Sequence, residues 1–256
     1  MKAVILAGGR GTRIAEESQV RPKPMVKIGD QPILWHIMKL YAAHGVDDFI
    51  VCLGYLGYVI KEYFANYRLH SSTMVEFDFR TGEISYGAGG AEPWRVTLVE
   101  TGLATQTGGR LRRVQHLLEG EDCFCMTYGD GLADVDISAV IAHHRRAGRL
   151  ATVTTVAPPG RFGVVHTSGS RVTAFSEKPD ADGTLINGGF FVLSPRALDL
   201  IEADHSVWEH EPLRRLAASD QLSAYHHTGF WQPMDTLRER DLLQALWDSG
   251  APPWRL

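Results

Sequence analysis

Residues 1–14 read MKAVILAGGRGTRI, a short apolar run that leads directly into a loop rich in glycine and arginine. The run Ala3–Leu6 is typical of a buried strand. The glycines after it let backbone N–H groups approach phosphate oxygens closely, and successive N–H groups in a turn bind anions. Ligands of open parallel sheets bind beyond the carboxyl ends of the strands. This stretch therefore predicts an α/β sheet with a phosphate site after its first strand.

Two common phosphate-binding motifs do not match the loop. A Walker A loop needs a lysine at a spacing where none stands, and the dinucleotide fingerprint needs glycine in place of Ile14. A looser loop remains, in which Arg13 is the natural charged clamp, although a surface charge explains Arg13 alone equally well. Lys23 lies between Pro22 and Pro24, whose fixed φ angles hold the segment stiff. We therefore interpret Arg13 and Lys23 as phosphate ligands.

Apolar runs alternate with amphipathic stretches over much of the chain. Strands separated by helices of this length imply right-handed crossovers and a largely parallel sheet. The sequence thus predicts an α/β fold with a Rossmann-like mixed, mostly parallel sheet flanked by helices. The predicted strands are Ala3–Leu6, Phe49–Leu53, Cys123–Thr127 and Ala151–Val156, and the predicted helices are Pro32–His44, Tyr58–Tyr67 and Ile137–Arg146.

Two regions break this alternation. Between about 72 and 100, a period of two and a Thr-Gly turn favour a hairpin or other β-excursion over a further βαβ unit. From about 160 to 193, short strands with Ser-Gly-Ser and Asp-Gly turns predict an antiparallel or mixed part that covers the sheet edge. No repeat or flexible linker is present, so one continuous domain over 1–256 is expected.

Composition narrows the class of protein. The chain has 256 residues, 44% hydrophobic, with a formal net charge of −4, which gives no general bias towards nucleic acid. The first apolar stretch ends at Gly8, and no segment approaches the roughly 18 apolar residues of a membrane span. A soluble cytoplasmic protein without nucleic-acid or membrane partners is expected. Cys52, Cys123 and Cys125 do not form a disulfide or zinc pattern, so buried thiols are predicted.

Longer stretches carry a family resemblance. LAGGRGTRI (6–14) and RPKPMVKIG (21–29) resemble the nucleotide-binding stretch of the sugar-1-phosphate nucleotidylyltransferases. EPWRVTLVETG (92–102), TGGRLRRV (107–114) and GFWQPMDTLR (229–238) are narrower and are similar to the branch that transfers a cytidylyl group to glucose 1-phosphate.

The resemblance implies a reaction of CTP with α-D-glucose 1-phosphate that gives CDP-glucose and pyrophosphate for deoxysugar biosynthesis, with Mg²⁺ as cofactor. It also implies a homo-oligomer, a trimer or hexamer, in which the β-excursion contributes contacts. The alternatives are the same chemistry with UTP, dTTP or another sugar or cyclitol phosphate, and a non-catalytic nucleotide-sugar sensor.

Two aspartates are candidate metal ligands, since Mg²⁺ prefers carboxylate and phosphate oxygens. Asp130 follows a predicted strand and lies between two glycines, where the backbone turns tightly. Asp235 matches the late metal aspartate of the resembling enzymes, although the cap of the following helix is the competing interpretation.

The resemblance also assigns the binding residues. Arg13, Lys23, Asp130 and Asp235 form the implied catalytic set, and the acceptor sugar belongs to a part spanning about 160–235. For Tyr128 and Trp231 taken alone, core packing is equally compatible. The implied nucleotide-binding residues are Leu6, Ala7, Gly8, Gly9, Arg10, Gly11, Thr12, Arg13, Lys23, Thr105, Arg110 and Gly129. The implied sugar-phosphate-binding residues are Tyr128, Glu177, Lys178, Asn187, Gly188 and Trp231.

Overall fold

The computed structural model describes residues 1–11, 20–87, 89–158, 164–168, 171–176 and 184–255. The strands are β1 (Lys2–Leu6), β2 (Lys27–Ile28), β3 (Gln31–Pro32), β4 (Asp48–Leu53), β5 (Val75–Asp78), β6 (Glu83–Tyr86), β7 (Arg95–Glu100), β8 (Phe124–Tyr128), β9 (Gly131–Ala133), β10 (Ala151–Val156), β11 (Val164–Ser168), β12 (Arg171–Ser176), β13 (Ile186–Leu193), β14 (Leu222–His226) and β15 (Trp231–Pro233). The α-helices are α1 (Ile33–Ala43), α2 (Gly57–Ala65), α3 (Tyr67–Ser71), α4 (Thr107–Val114), α5 (Ile137–Ala147), α6 (Glu211–Ala218) and α7 (Leu237–Asp248), and short 3₁₀ helices lie at Lys23–Met25, Gln115–Leu118 and Pro195–Leu200.

The central sheet confirms the predicted mixed, mostly parallel α/β fold. Within the described ranges it has seven strands in the order β14-β10-β13-β8-β1-β4-β7. Strands β8, β1, β4 and β7 pair in parallel, as do β10 and β14, whereas β13 runs antiparallel to both of its neighbours. The strands that lead to the glycine loop and to Asp130, β1 and β8, are direct neighbours, so both turns emerge at the same edge of the sheet.

Helices cover both faces of the sheet, and β1 shows why its sequence is apolar throughout. Ala3 and Ile5 belong to one core cluster together with Ile37 of α1. Val4 and Leu6 belong to the other, together with Leu111 of α4. Successive side chains of a strand point to opposite faces. A strand buried on both sides therefore reads as a continuous apolar run.

Two strands lie elsewhere than the sequence suggested. Arg95–Glu100 is not part of the excursion but pairs in parallel with β4 at the edge of the central sheet. Ile186–Leu193 does not cover a sheet edge but lies inside the sheet between β10 and β8. Phe190 and Phe191 are 2% and 1% exposed, as a strand covered on both faces requires. A parallel neighbour of β10 would need a crossover connection, which is usually a helix. The described residues between β10 and β13 form the β11–β12 hairpin instead, and β13 runs antiparallel to β10.

Two predicted local features are present in the described residues, a hairpin within the excursion and buried thiols. The excursion contains a two-stranded hairpin, β5 paired with β6, whose sheet is separate from the central one. Cys52, Cys123 and Cys125 are buried and unpaired, and burial raises the pKa of Cys52 to about 12. Among the described helices, none combines the length and apolar character needed to cross a bilayer.

Candidate active site

The glycine loop after β1 rests on a buried arginine. Arg110 of α4 is 5% exposed. Its guanidinium donates to the Gly8 carbonyl at 3.1 Å, to the Leu53 carbonyl at 2.9 Å and to Thr101 Oγ1 at 2.7 Å. A Cβ atom on Gly8 would overlap this guanidinium, whereas one on Gly9 would meet nothing within 4 Å. The close approach of Arg110 thus leaves no room for a side chain at position 8. The hydrogen bond from Arg110 to the Gly8 carbonyl in turn holds the loop against α4.

The difference between Gly8 and Gly9 allows a test of whether the contact with Arg110 stabilises the loop. Gly8→Ala is expected to lower the thermal midpoint of the ligand-free protein by several degrees, because overpacking a buried contact costs about 1–3 kcal/mol. Gly9→Ala is the matched control and should leave the midpoint close to that of the wild type. Differential scanning calorimetry measures both. Equal midpoints for the two variants would contradict the role given to Arg110.

A cavity of about 350 Å³ lies above the loop. Its wall contains every predicted nucleotide-binding residue that the structure describes, from β1, the Lys23 segment, α4 and the end of β8. Thr12 and Arg13 lie outside the described residues. The lining residues are Leu6, Ala7, Gly8, Gly9, Arg10, Gly11, Lys23, Pro24, Thr105, Gln106, Thr107, Arg110, Tyr128, Gly129 and Asp130.

Lys23 joins the two predicted metal ligands. The residue lies on the short 3₁₀ helix between Pro22 and Pro24 and is 7% exposed. Its Nζ donates to Asp130 Oδ2 at 2.7 Å and to Asp235 Oδ1 at 2.6 Å. Two carboxylates far apart in the chain therefore converge on one ammonium nitrogen, and the resulting cluster has a formal charge of −1.

A short antiparallel ladder brings the two aspartates together. In the pairing of β9 with β15, Gly131 lies opposite Pro233, and the Met234 N–H donates to the Asp130 carbonyl at 2.8 Å. Asp130 immediately precedes this ladder on one strand, and Asp235 closely follows it on the other. The position of the second carboxylate is therefore set by backbone hydrogen bonds.

The cap interpretation of Asp235 is wrong. Thr236 is the N-cap of α7: its side chain accepts from the Glu239 N–H, and the Glu239 side chain accepts from the Thr236 N–H in a reciprocal capping box. Glu239 also accepts from the Asp235 N–H at 2.7 Å. The helix terminus is satisfied by its neighbours, and the Asp235 carboxylate faces Lys23.

A second cavity of about 280 Å³ lies on the other side of Tyr128 and Asp130, which line both cavities. All predicted sugar-phosphate-binding residues that the structure describes line it: Tyr128, Asn187, Gly188 and Trp231. The Trp231 indole N–H donates to the Gly188 carbonyl at 2.7 Å, which ties β15 to β13 across this cavity. Glu177 and Lys178 lie outside the described residues.

One polar residue beside the site was missed at the sequence level. Glu209 accepts from Thr107 Oγ1 at 2.6 Å and from the Tyr128 hydroxyl. It follows the fully buried Trp208 in a segment without glycine, motif or periodicity that indicates a site. No local signal in the sequence points to it, since its contacts come from two distant elements.

The fold and the site define the class of protein. The profile described as nucleotidyl transferase matches residues 2–236, and the chain belongs to this family. Two solved structures show the same fold: HddC from Yersinia pseudotuberculosis complexed with GMP-PN (TM-score 0.70, 20% identity, 96% of this chain and 99% of that one) and a UTP-bound UGPase from Acinetobacter baumannii (TM-score 0.68, 18% identity, 99% and 95%).

Two curated relatives with different named activities differ in how similar they are to this chain. A glucose-1-phosphate cytidylyltransferase from Salmonella typhi is 55% identical over 255 residues, covering 100% of this chain and 99% of the relative. A mannose-1-phosphate guanyltransferase from Yarrowia lipolytica is 29% identical, covering 96% of this chain and 63% of the relative. Similarity is thus much higher to the relative named for cytidylyl transfer than to the one named for guanylyl transfer.

Nucleotidyltransferases generally use a divalent metal ion, and the residues present fit one. Within the described ranges, no group of three or more His, Cys, Asp and Glu side chains could hold a metal. Mg²⁺, however, keeps several waters and takes only one or two carboxylates when substrate phosphates complete its shell. Asp130 and Asp235 supply two hard oxygen donors directed at one point and lie on the walls of the cavities.

Proposed function

We propose that the chain transfers a cytidylyl group from CTP to α-D-glucose 1-phosphate, giving CDP-glucose and pyrophosphate. The observation that carries this assignment is the 55% identity, over the full length of the chain, with a glucose-1-phosphate cytidylyltransferase. The two cavities that meet at Tyr128 and Asp130 support it, because the reaction needs a nucleotide and a sugar phosphate side by side. We place the reaction in the cytoplasm.

In the proposed reaction, a phosphate oxygen of glucose 1-phosphate attacks the α-phosphorus of CTP. A new P–O bond forms, the bond to the β-phosphate bridging oxygen breaks, and pyrophosphate leaves with that electron pair. The nucleophile is already an anion, so no strong general base is needed. Catalysis then rests on alignment and on neutralisation of charge.

The chain's own groups divide this task between the two cavities. We propose that backbone N–H groups of the glycine loop, with Lys23 and Arg13, hold the triphosphate. Thr105 and Arg110 belong to the nucleotide side. On the acceptor side, Glu177, Asn187, Gly188 and Trp231 would face the sugar, and Lys178 its phosphate. Mg²⁺ bound by Asp130 and Asp235 would neutralise charge on the phosphates.

A substrate panel tests the proposal. The purified chain is incubated with Mg²⁺, one of CTP, UTP, dTTP, GTP or ATP, and one of several sugar 1-phosphates, and pyrophosphate release is measured. Turnover is expected with CTP and glucose 1-phosphate, at a kcat/KM well above that of every other pair. A preference for UTP, dTTP or another acceptor would replace the cytidylyl assignment, and absence of turnover with every pair would favour a nucleotide-sugar sensor.

We further propose that the protein is a homo-oligomer, a trimer or hexamer, assembled through the β5–β6 hairpin. The hairpin, its turn and the residue before β5 expose several large apolar side chains, including Phe79 at 93%, Ile84 at 50% and Met74 at 61%. A group of exposed apolar side chains on a two-stranded element is typical of an interaction surface.

The double variant Phe77→Ser/Phe79→Ser is expected to reduce the mass of the oligomer to that of one 28.4 kDa chain, because the two rings stack with centroids 6.2 Å apart and form one exposed patch. Light scattering coupled to size exclusion measures this mass. Tyr58→Ser removes another exposed ring, 71% exposed on α2, and should leave the mass unchanged. A wild-type protein that elutes as a single chain would rule out the assembly.

A further inference from the structure

A carboxylate lies between the two halves of the site without lining either cavity. Glu209 belongs to the segment between the 3₁₀ helix at Pro195–Leu200 and α6, and it is half-buried. One carboxylate oxygen accepts from Thr107 Oγ1 at 2.6 Å, and the other accepts from the Tyr128 hydroxyl. Thr107 lines the first cavity and Tyr128 lines both. Glu209 therefore connects a residue of the nucleotide side with one on the wall between the two cavities.

The hydrogen bonds extend beyond Glu209 on the nucleotide side. On the nucleotide side, the backbone N–H of Trp208 donates to Thr107 Oγ1 at 2.9 Å. On the sugar side, Asn187 lines the second cavity together with Tyr128, and its Oδ1 accepts from the Gly189 N–H at 2.8 Å.

The direction of this chain of hydrogen bonds is fixed by the carboxylate. An ionised Glu is an acceptor only. The Tyr128 hydroxyl therefore donates to one oxygen of Glu209, and the Thr107 hydroxyl donates to the other while it accepts from the Trp208 N–H.

The ring of Tyr128 is also constrained by packing. A Cβ atom on Gly189 would lie 2.9 Å from Tyr128 Cδ2, so the ring packs closely on the backbone of β13. The ring of Tyr128 thus contacts β13, and its hydroxyl binds the same carboxylate that binds Thr107 of α4.

We propose that Glu209 is a positioning residue that fixes Thr107 and Tyr128 relative to each other and so sets the spacing of the nucleotide and sugar-phosphate halves of the site. This inference rests on the proposed function, because it assumes that both cavities are filled in one reaction. Glu209 acts through its two partners and does not touch substrate. Its removal should therefore weaken binding of both substrates, although the residue lines neither cavity.

Glu209→Gln is the sharpest variant, since it keeps size and shape but replaces one acceptor by an N–H donor. The new N–H donor faces the hydroxyl of Tyr128 or that of Thr107, so this hydroxyl loses the oxygen to which it donates. We expect KM to rise about tenfold for CTP and for glucose 1-phosphate alike, because groups in one network couple by amounts of this order. Glu211→Gln, which removes an exposed carboxylate at the start of α6, is the control and should change neither KM.

A second pair of variants keeps the test informative if the glutamine variant folds poorly. Thr107→Val leaves Glu209 in place and alters only the nucleotide side, and Tyr128→Phe removes the hydroxyl that donates to Glu209. The proposal predicts that Thr107→Val raises KM for glucose 1-phosphate as well as for CTP, and that its effect and that of Tyr128→Phe are not additive in the double variant. A role in fold stability alone would lower the thermal midpoint without moving either KM.

The outcomes separate this inference from the proposed function. Wild-type turnover with CTP and glucose 1-phosphate tests the function by itself, and the variants are compared with the wild type on whichever substrate pair the panel identifies. Unchanged KM values in Glu209→Gln, or a Thr107→Val effect confined to the nucleotide, would overturn the positioning role and leave the proposed function intact.

Discussion

Replacing Asp130 with asparagine is expected to lower kcat/KM by about 10²–10⁴-fold while the protein remains folded. Charge stabilisation by a metal ion contributes several kcal/mol to such a reaction, and each 1.36 kcal/mol is tenfold in rate. Asparagine keeps the shape of the side chain and a carbonyl acceptor for the Lys23 ammonium, which lies 2.7 Å from Asp130 Oδ2. The negative charge that would hold a divalent ion is lost. The same loss is expected for Asp235→Asn.

Two measurements check this prediction. Pyrophosphate release gives kcat/KM, and electron paramagnetic resonance titration with Mn²⁺, without nucleotide, gives the affinity for a divalent ion. Asp136→Asn is the matched control, because Asp136 lines neither cavity and its carboxylate accepts from the Ala139 N–H at 2.9 Å as the cap of α5. Asparagine caps helices about as well as aspartate. If Asp130→Asn kept kcat/KM within threefold of the wild type, the metal assignment would be wrong.

Lys23→Met is expected to have two effects of opposite sign. Activity should fall about 10²–10³-fold, the usual loss when one group that stabilises transition-state charge is removed. Affinity for Mn²⁺ in the absence of nucleotide should rise about tenfold, because a neighbouring charge contributes on the order of 1–4 kcal/mol near a protein surface. In the ligand-free protein the ammonium already binds both carboxylates, so a divalent ion must compete with it.

Lys27→Met is the control for Lys23→Met. It removes the same charge from an exposed position on β2 and should change neither activity nor Mn²⁺ affinity. Isothermal titration calorimetry and the pyrophosphate assay read the two effects independently. Weaker Mn²⁺ binding in Lys23→Met than in the wild type would show that the lysine supports the ion and does not compete with it.

Local patterns predicted the elements of this fold better than their arrangement. The apolar run Ala3–Leu6 and the helix around Ile33–Ala43 carry their own periodicity, and both are confirmed. The strand Ile186–Leu193 was recognised, but its place in the middle of the sheet depends on how the chain returns after the β11–β12 hairpin. Strand order is a property of connections between elements, which periodicity does not report.

In the candidate site, too, local features could be predicted from the sequence better than the arrangement of distant residues. The glycine loop and Lys23 could be predicted because glycine and proline restrict the backbone locally. The convergence of Asp130 and Asp235 depends on the ladder between β9 and β15, whose strands have three residues each. No pattern rule identifies strands of that length, so the family resemblance alone placed the two carboxylates together.

The ladder between β9 and β15 also means that the two aspartates come together late in the synthesis of the chain. Gly131 is translated long before Pro233, its partner in the ladder. A nascent chain that ends before Trp231 therefore contains the glycine loop, Lys23 and Asp130 but lacks the strand that carries the second aspartate into place. The second carboxylate thus joins the first only after the seven described strands of the central sheet have all been made.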